Sequence, residues 1–589
     1  MTVTGPAGTA EEELLLRVLS TLLREDVLGL RTRTTVQDRA DGRWLRLPCP
    51  DGRALALPVV ADGFQCEYAA RLPMLQEEPG GRRLTSGAQV LAALAALAPL
   101  EDRTGFGAFA AEYEDALAAL RLQAATHDAV MARLGARHGA DPVRWRGLAS
   151  SLAFDTLAAR AGHPLYPTAA ARPGLGDRDL TSCAPEFAPR FDLRWAVLPE
   201  DAVTAPGPHG TAGLGAFWPR PSALGLPGLD ESHLALPVHP LTAAGPLRDA
   251  LREAGLAERA FLADRPHLAV APTLSMRTVA LAEAPGVHLK LPLATSTLGL
   301  LNRRTIKPGS LTDGAAGQRL LETVAAREPR FAGRVLHADE TRYVHAGHEL
   351  LAALVRRHPG RLDGTVVLPL AALTAPAPDG RPVIEHLAAH WFGGEVLALL
   401  DAVLTLLLDW QTTLFGYGIA LESHQQNISL LLDGPAGRPR LRLLFKDDDG
   451  PRINRFRLRD ALGSDAPGPA EFADPRIFAD DDGPVLDLFT TITVHLCAGA
   501  FAFTLARYGH APLTRLLGLV HDRLDEAAVR LGDGPGRPGA VLRAQVLDAA
   551  RLPVKAMVTA GTLLTKKRSG ASDINKHYTT GPNYLLRSR

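Results

Sequence analysis

The stretch GIALESHQQNISLLLDGPAGRPRLRLLFKDDDG, Gly418 to Gly450, holds two short apolar runs around a strong turn signal, Asp433 to Pro439. Runs of this length bounded by Gly and Pro read as an antiparallel hairpin. In such a hairpin the start of the first strand lies beside the end of the second. Asn427 and Asp447 are therefore expected as neighbours, with Glu422, His424 and Gln426 entering from the same side. A carboxylate beside an amide oxygen is a hard-oxygen environment suited to Mg²⁺, which keeps waters and takes further ligands from substrate phosphates. The residues alone leave a second reading open, a solvated hairpin mouth with capping polar groups.

A second hairpin is expected in PTLSMRTVALAEAPGVHLKLPLATSTLGLLNRRTIKPGS, residues 272–310, with AEAPG as its turn. A symmetric turn sets Val279 opposite Lys290. The two-residue strand period then brings Ser275, Arg277 and Lys290 to one face. With Thr295, Ser296, Thr297, Arg303 and Arg304 following, the stretch reads either as a polyphosphate cradle or as a basic sheet face exposed to water. No P-loop, GxGxxG fingerprint or kinase HRD/DFG set occurs, so a nucleotide site here is of another kind.

Around these hairpins the texture changes twice. Residues 1–150 read as a helical domain with a small strand pair, RWLRLPC and RALALPVV, and name no chemistry. Residues 151–385 read as short strands and Pro/Gly loops, a mixed sheet. Residues 386–589 read as helix-rich around the hairpin, closing on a basic tail. At 589 residues the length suggests two to four domains.

The charge balance, 64 basic against 64 acidic residues, lacks the surplus expected of a nucleic-acid binder. Cys49, Cys66, Cys183 and Cys497 have no metal-like spacing and read as reduced thiols of a cytoplasmic protein. No secretion signal is visible, and acids interrupt the longest apolar stretches short of a membrane span. His163 and Arg172, in a Pro/Gly-defined loop, either hold a carboxylate or simply pack, as does His239. His345, His348 and Glu349 lack the HExxH spacing of a zinc site.

Taken together, GHPLYPTAAARPG, SMRT, KLPLATSTLG…NRRTIKPGS, GIALESHQQNISLLL, KDDDG and LPVKAMVTAG…GPNYLL resemble the IucA/IucC family of siderophore synthetases, over residues 155 to 589. The resemblance implies an α+β fold like a cupped hand: a helical thumb (1–150), sheet-rich fingers (151–385) and a helix-rich palm carrying the hairpin (386–589). It implies ATP- and Mg²⁺-dependent adenylation of a carboxylic acid, citrate or a citryl derivative, then attack by an amine, polyamine or hydroxyl with release of AMP and pyrophosphate. A homodimer is compatible with it.

Carried over by motif, Ser275, Arg277, Lys290, Thr295, Ser296 and Thr297 would grip the triphosphate, and Glu422, His424, Gln426 and Asn427 would line the nucleotide site. Asp447, Asn427 and Asp449 would hold the metal. His163, Arg172, Thr297, Arg303 and Lys555 would bind the acid. Lys290, Arg303, Arg304 and His424 would be catalytic, His424 deprotonating the amine or positioning it. Four features depart from the family pattern: Tyr166 replaces a histidine, Ala170 or Ala171 stands near a lysine position, Lys446-Asp447-Asp448-Asp449-Gly450 replaces RDxxG and leaves open which aspartate binds the metal, and a longer spacing from Lys290 leaves the choice between Arg303 and Arg304 open. These bear on the identity of the acid. The competing classes are a kinase-like or ATP-grasp-like phosphotransferase, an equivalent ligase of a non-siderophore acid and amine, and a non-catalytic binding protein.

Overall fold

A computed structural model describes residues 9–61, 63–206, 213–570 and 577–588. Parts of the loop at 204–221 and of the basic tail lie outside the described residues. The chain is α+β, built on three main sheets.

The first helix, Ala10–Arg24, starts where Thr9 caps it: the Glu12 amide donates to the Thr9 hydroxyl, and Glu12 accepts the Thr9 amide at 2.7 Å. This reciprocal pairing satisfies two end donors. Its apolar stripe, Leu14, Leu15, Val18, Leu19, Leu22 and Leu23, packs on Leu45, Leu47, Leu55 and Leu57 of an antiparallel N-terminal sheet. That sheet has six strands, more than the single strand pair legible in the sequence.

The middle sheet runs in the order Asp339–His345, Ala352–Arg357, Val287–Lys290, Thr278–Leu281, His267–Pro272, Phe191–Pro199, His233–Val238. Every pairing in it is antiparallel. The mixed character expected for residues 151–385 is thus corrected for this sheet: short hairpin links join three of its neighbouring pairs, and parallel pairing needs a long crossover.

The third sheet is the mixed one. Ile428–Asp433 and Arg440–Phe445 form its antiparallel centre; Val366–Pro369 flanks one side, and Val335–His337 pairs in parallel on the other. It therefore draws strands from both sides of residue 385. All six residues of Ile428–Asp433 are buried, so the strand is covered on both faces instead of alternating between core and solvent.

Two helices, Val396–Gly416 and Gly483–Arg507, are long and apolar enough to cross a membrane, contrary to the expectation from their interrupted apolar runs. Within the fold they are 67% and 89% buried, so the interior supplies the apolar surroundings such helices require.

Leu430→Ala, at a side chain with no exposed surface, is expected to lower stability by about 2–5 kcal/mol, read by denaturant unfolding.

Candidate functional site

The third sheet's register decides what meets at the hairpin mouth. Ile428 pairs with Phe445, so Asn427 lies opposite Lys446, whose amide donates to the Asn427 carbonyl at 3.1 Å. Asp447 follows one residue later. Before the first strand the chain folds into a tight turn. The Glu422 carbonyl accepts the His424 amide and the Asn427 side-chain amide, both at 3.0 Å, and the His424 carbonyl accepts the Asn427 amide at 2.8 Å. Glu422, His424, Gln426 and Asn427 all line one cavity of about 330 Å³.

Asp447 has a φ of 68°, a region that non-glycine residues seldom occupy. Its amide is held by the Glu340 carboxylate at 3.0 Å, and Glu340 forms a close buried ion pair with Arg356. The turn aims Asp447 and Asp449 into the cavity. Asp448 points the other way, with its carboxylate 3.7 Å from His337. Of the three aspartates, the first and third therefore face the cavity.

Across the cavity the second hairpin pairs Thr278 with Lys290 and Val279 with Leu289. The expected Val279–Lys290 pairing is corrected by one residue: the link is centred on Ala284, the middle of AEAPG, and symmetry about that residue sets Val279 opposite Leu289. A one-residue slip moves side chains to the opposite face. Ser275 and Arg277 nevertheless reach the cavity with Lys290. They do so because they sit in a turn, with Met276 at φ 59° and the Arg277 amide donating to the Ser275 carbonyl at 2.7 Å.

Lys290 is the meeting point. Its ammonium is in close contact with Asp447 and donates to Asp449 at 3.2 Å, while the Arg356 guanidinium stands 3.6 Å from Asp447. Burial alone would raise the Asp447 carboxyl; Lys290, Arg356 and Arg277 override it and hold the group far below the usual carboxylate range. Arg304 lines the same cavity, and burial with nearby Arg277 draws its guanidinium down to about 9. Two cavity-facing carboxylates and the Asn427 amide form a hard-oxygen donor set that fits Mg²⁺, which commonly uses one or two protein carboxylates. Among the described residues no cluster of three or more His, Cys, Asp or Glu is placed to hold a metal alone.

Six positions named from sequence, Arg303, Thr295, Ser296, His345, His348 and Glu349, lie away from the cavity. Arg303 is corrected: its guanidinium pairs with Glu349 at 2.6 Å on the exposed side, because successive residues of an extended backbone face opposite ways and Arg304 takes the inward one. Thr295 and Ser296 are corrected as well: their hydroxyls donate to the carbonyls of Pro173 (2.9 Å) and Leu300 (2.8 Å), and neither lines the cavity. Thr297 does line it. His345, His348 and Glu349 do not converge; His348 meets Glu253 at 3.1 Å and Glu349 meets Arg303.

His163, Arg172 and Lys555 also line the cavity. His163 Nδ1 accepts the amides of Leu165 (3.1 Å) and Tyr166 (2.9 Å), so the neutral ring carries its proton on Nε2. Arg172 is fixed by Glu186 at 2.8 Å. Lys555 is buried, and no described carboxylate pairs with it. Tyr166 donates to Glu112 at 2.9 Å instead of facing the cavity, and Ala170 lines it. His239 packs away from the site, its Nδ1 accepting the Leu241 amide.

Sequence reading missed Glu340 and Arg356, which hold Asp447, and Arg17, a cavity residue from the first helix. The chain places Glu340 in a strand about a hundred residues before Asp447, and no local motif marks it.

His424 is drawn down to about 4 by burial and by Lys555. Its ring is therefore neutral at pH 7, and an imidazole resonance assigned to it is expected to titrate near 4. In the unfolded chain the same ring binds a proton below about 6.5. Stability then falls as pH drops from about 6.5 towards 4, and His424→Gln is expected to flatten that stretch of the stability–pH curve.

Residues 150–375 match the IucA / IucC family, and residues 396–569 match the family described as ferric iron reductase FhuF-like transporter. Protein y4xN of Sinorhizobium fredii, a curated relative described as uncharacterized, is 31% identical over 332 residues, which make up 51% of this chain and 51% of that protein. The chain thus matches about half the length of that curated relative. The crystal structure of the petrobactin biosynthesis protein AsbB from Bacillus anthracis superposes with a TM-score of 0.75 at 18% identity, covering 98% of this chain and 96% of that one. ATP-bound aerobactin synthetase IucA from Klebsiella pneumoniae gives 0.69 at 17%, covering 98% and 99%. Aerobactin synthetase IucC from the same organism gives 0.66 at 19%, again covering 98% and 99%. The segment that matches the IucA / IucC family, residues 150–375, carries Lys290 and Arg304.

Proposed function

We propose that this protein is an ATP-dependent synthetase of the cytoplasm that activates a carboxylic acid, citrate or a citryl derivative, and joins it to an amine or hydroxyl in siderophore assembly. One observation carries the reading: a single cavity is lined by Ser275, Arg277, Lys290 and Arg304, by Asp447 and Asp449, and by His163, Arg172 and Lys555. The first cationic group suits a polyphosphate, and His163, Arg172 and Lys555 suit a carboxylate. The ATP-bound state of the similarly folded IucA supports a nucleotide there.

The chemical problem is like-charge repulsion. A carboxylate oxygen attacks the α-phosphorus of ATP, and the bond to pyrophosphate breaks. Lys290, Arg277 and Arg304 neutralise the charge that builds on the leaving group, and they do so in a buried site where such contacts are stronger than in water. Mg²⁺, when bound by Asp447 and Asp449, would supply further neutralisation of phosphate charge. Lys290 is then released from its aspartates to meet the phosphates. Arg172 and Lys555 hold the acid by charge, and His163 offers its Nε2 proton to a carboxylate oxygen.

In the second step a neutral amine or hydroxyl attacks the acyl carbon and AMP leaves with the acid's former oxygen. Orientation supplies most of the acceleration of such a step. His424, neutral at pH 7, takes the nucleophile's proton or positions the nucleophile.

The test is pyrophosphate release across citrate, succinate, 2-oxoglutarate and citryl-amides, with and without diamines. Acid-dependent release with AMP as product is expected. Lys290→Ala and Asp447→Ala are each expected to lower it by about 10²-fold or more while the protein stays folded. ADP as product would favour a phosphotransferase, and wild-type turnover in both variants would refute the site assignment.

A further inference from the structure

The first helix and its C-terminal cap carry buried and half-buried polar side chains on one face, at the i, i+4, i+7, i+8 spacing that apolar residues would occupy in a helix packed on a core. Arg17, Thr21, Arg24 and Glu25 follow at steps of four, three and one, which places them on one side. Three of them seize the loop that carries His163. Arg17 donates to the His163 carbonyl at 2.8 Å, and Thr21 and Arg24 donate to the Leu165 carbonyl at 3.3 and 2.8 Å.

Glu25 seizes a different segment, near the far end of the chain. Its carboxylate accepts the Val558 amide at 3.1 Å, the Thr559 amide at 2.8 Å and the Thr559 hydroxyl at 2.8 Å. Three residues upstream of Val558, at the end of the strand Arg551–Lys555, stands Lys555. Its side chain is buried in the cavity wall, and no described carboxylate holds its ammonium. The place of that ammonium is therefore set by its backbone, and Glu25 fixes the backbone just beyond it.

We infer that Glu25 is a positioning residue for the proposed activation step: through the Val558–Thr559 amides it holds Lys555 at a set distance from His163, so one face of the first helix gauges the carboxylate-binding wall. The inference rests on the synthetase reading for its chemistry. Its geometry is independent of that reading.

Glu112 provides a parallel tie. It accepts the hydroxyls of Thr562, Tyr166 and Thr168 at 2.7, 2.9 and 2.6 Å, joining the same two segments further along. Loss of Glu25 is thus expected to loosen the wall without releasing the whole C-terminal segment.

Glu25→Gln, Lys555→Ala and the double variant are compared in acid-dependent pyrophosphate release, using the acid that the wild type turns over best. Glu25→Gln is expected to raise KM for the acid by about 10-fold and leave KM for ATP unchanged. The double variant is expected to match Lys555→Ala within about 2-fold, because a residue that acts only through Lys555 has nothing left to position. Multiplying effects, or an equal rise in both KM values, would overturn the inference.

Hydrogen exchange supplies an arm independent of turnover. Amides at 553–564 are expected to exchange faster in Glu25→Gln while those at 428–445 are unchanged, and unaltered exchange at 553–564 would overturn the tie itself. Thr559→Val removes one of the three donors and takes the same tests if Glu25→Gln does not fold. A wild type inert towards every acid would sink the synthetase reading, whereas active wild type with additive variants would sink only the role of Glu25.

Discussion

Lys290 is the charge on which the site depends. It is buried on the middle sheet, and its counter-charges, Asp447 and Asp449, lie beyond the end of a hairpin in another sheet. A buried ammonium without a partner is costly, and removing one member of such a pair costs about 3–5 kcal/mol. The pair therefore links the two sheets, and neither sheet satisfies it alone. The same pair leaves the cavity with a cation that phosphate can claim and carboxylates that a divalent ion can claim. What stabilises the resting cavity is thereby the machinery expected to act on ATP.

The Glu340–Arg356 pair gives this arrangement its aim. Asp447 occupies a left-handed backbone conformation, which persists only when its surroundings fix it. Glu340 does so by accepting the Asp447 amide, and Arg356 pairs with Glu340 while adding a second cation near Asp447. Burial raises the Glu340 carboxyl above its usual range, with Arg356 opposing the rise. The strained residue is thus held from a strand that belongs to the middle sheet. Both partners of the Lys290 contact are anchored on that sheet, one through its side chain and one through its backbone amide.

How much of this was legible depended on whether the signal was local. The hairpin at 428–445 was legible because an apolar run, a Gly/Pro turn and a second apolar run follow one another. Its cluster of Glu422, His424, Gln426 and Asn427 was legible for the same reason. The pairing of Lys290 was misread by one residue, since the period of two fixes a face only once the turn's centre is known. Arg303 and Arg304 were indistinguishable as neighbours, and only the Ser296–Arg303 bridge decides which turns outward. Glu340, Arg356 and the polar face of the first helix carried no signal in the chain, because their partners lie far away in sequence. The helix that named no chemistry turns out to contribute Arg17 to the cavity.

The central claim is that the cavity joins an acid's own oxygen to the α-phosphorus of ATP, and isotope transfer tests it most directly. Acid labelled with ¹⁸O in its carboxylate is incubated with ATP, Mg²⁺ and an amine, and the phosphorus-containing products are analysed by mass. The account requires one labelled oxygen in AMP for each amide formed. Label in orthophosphate alongside ADP, with none in AMP, would contradict it.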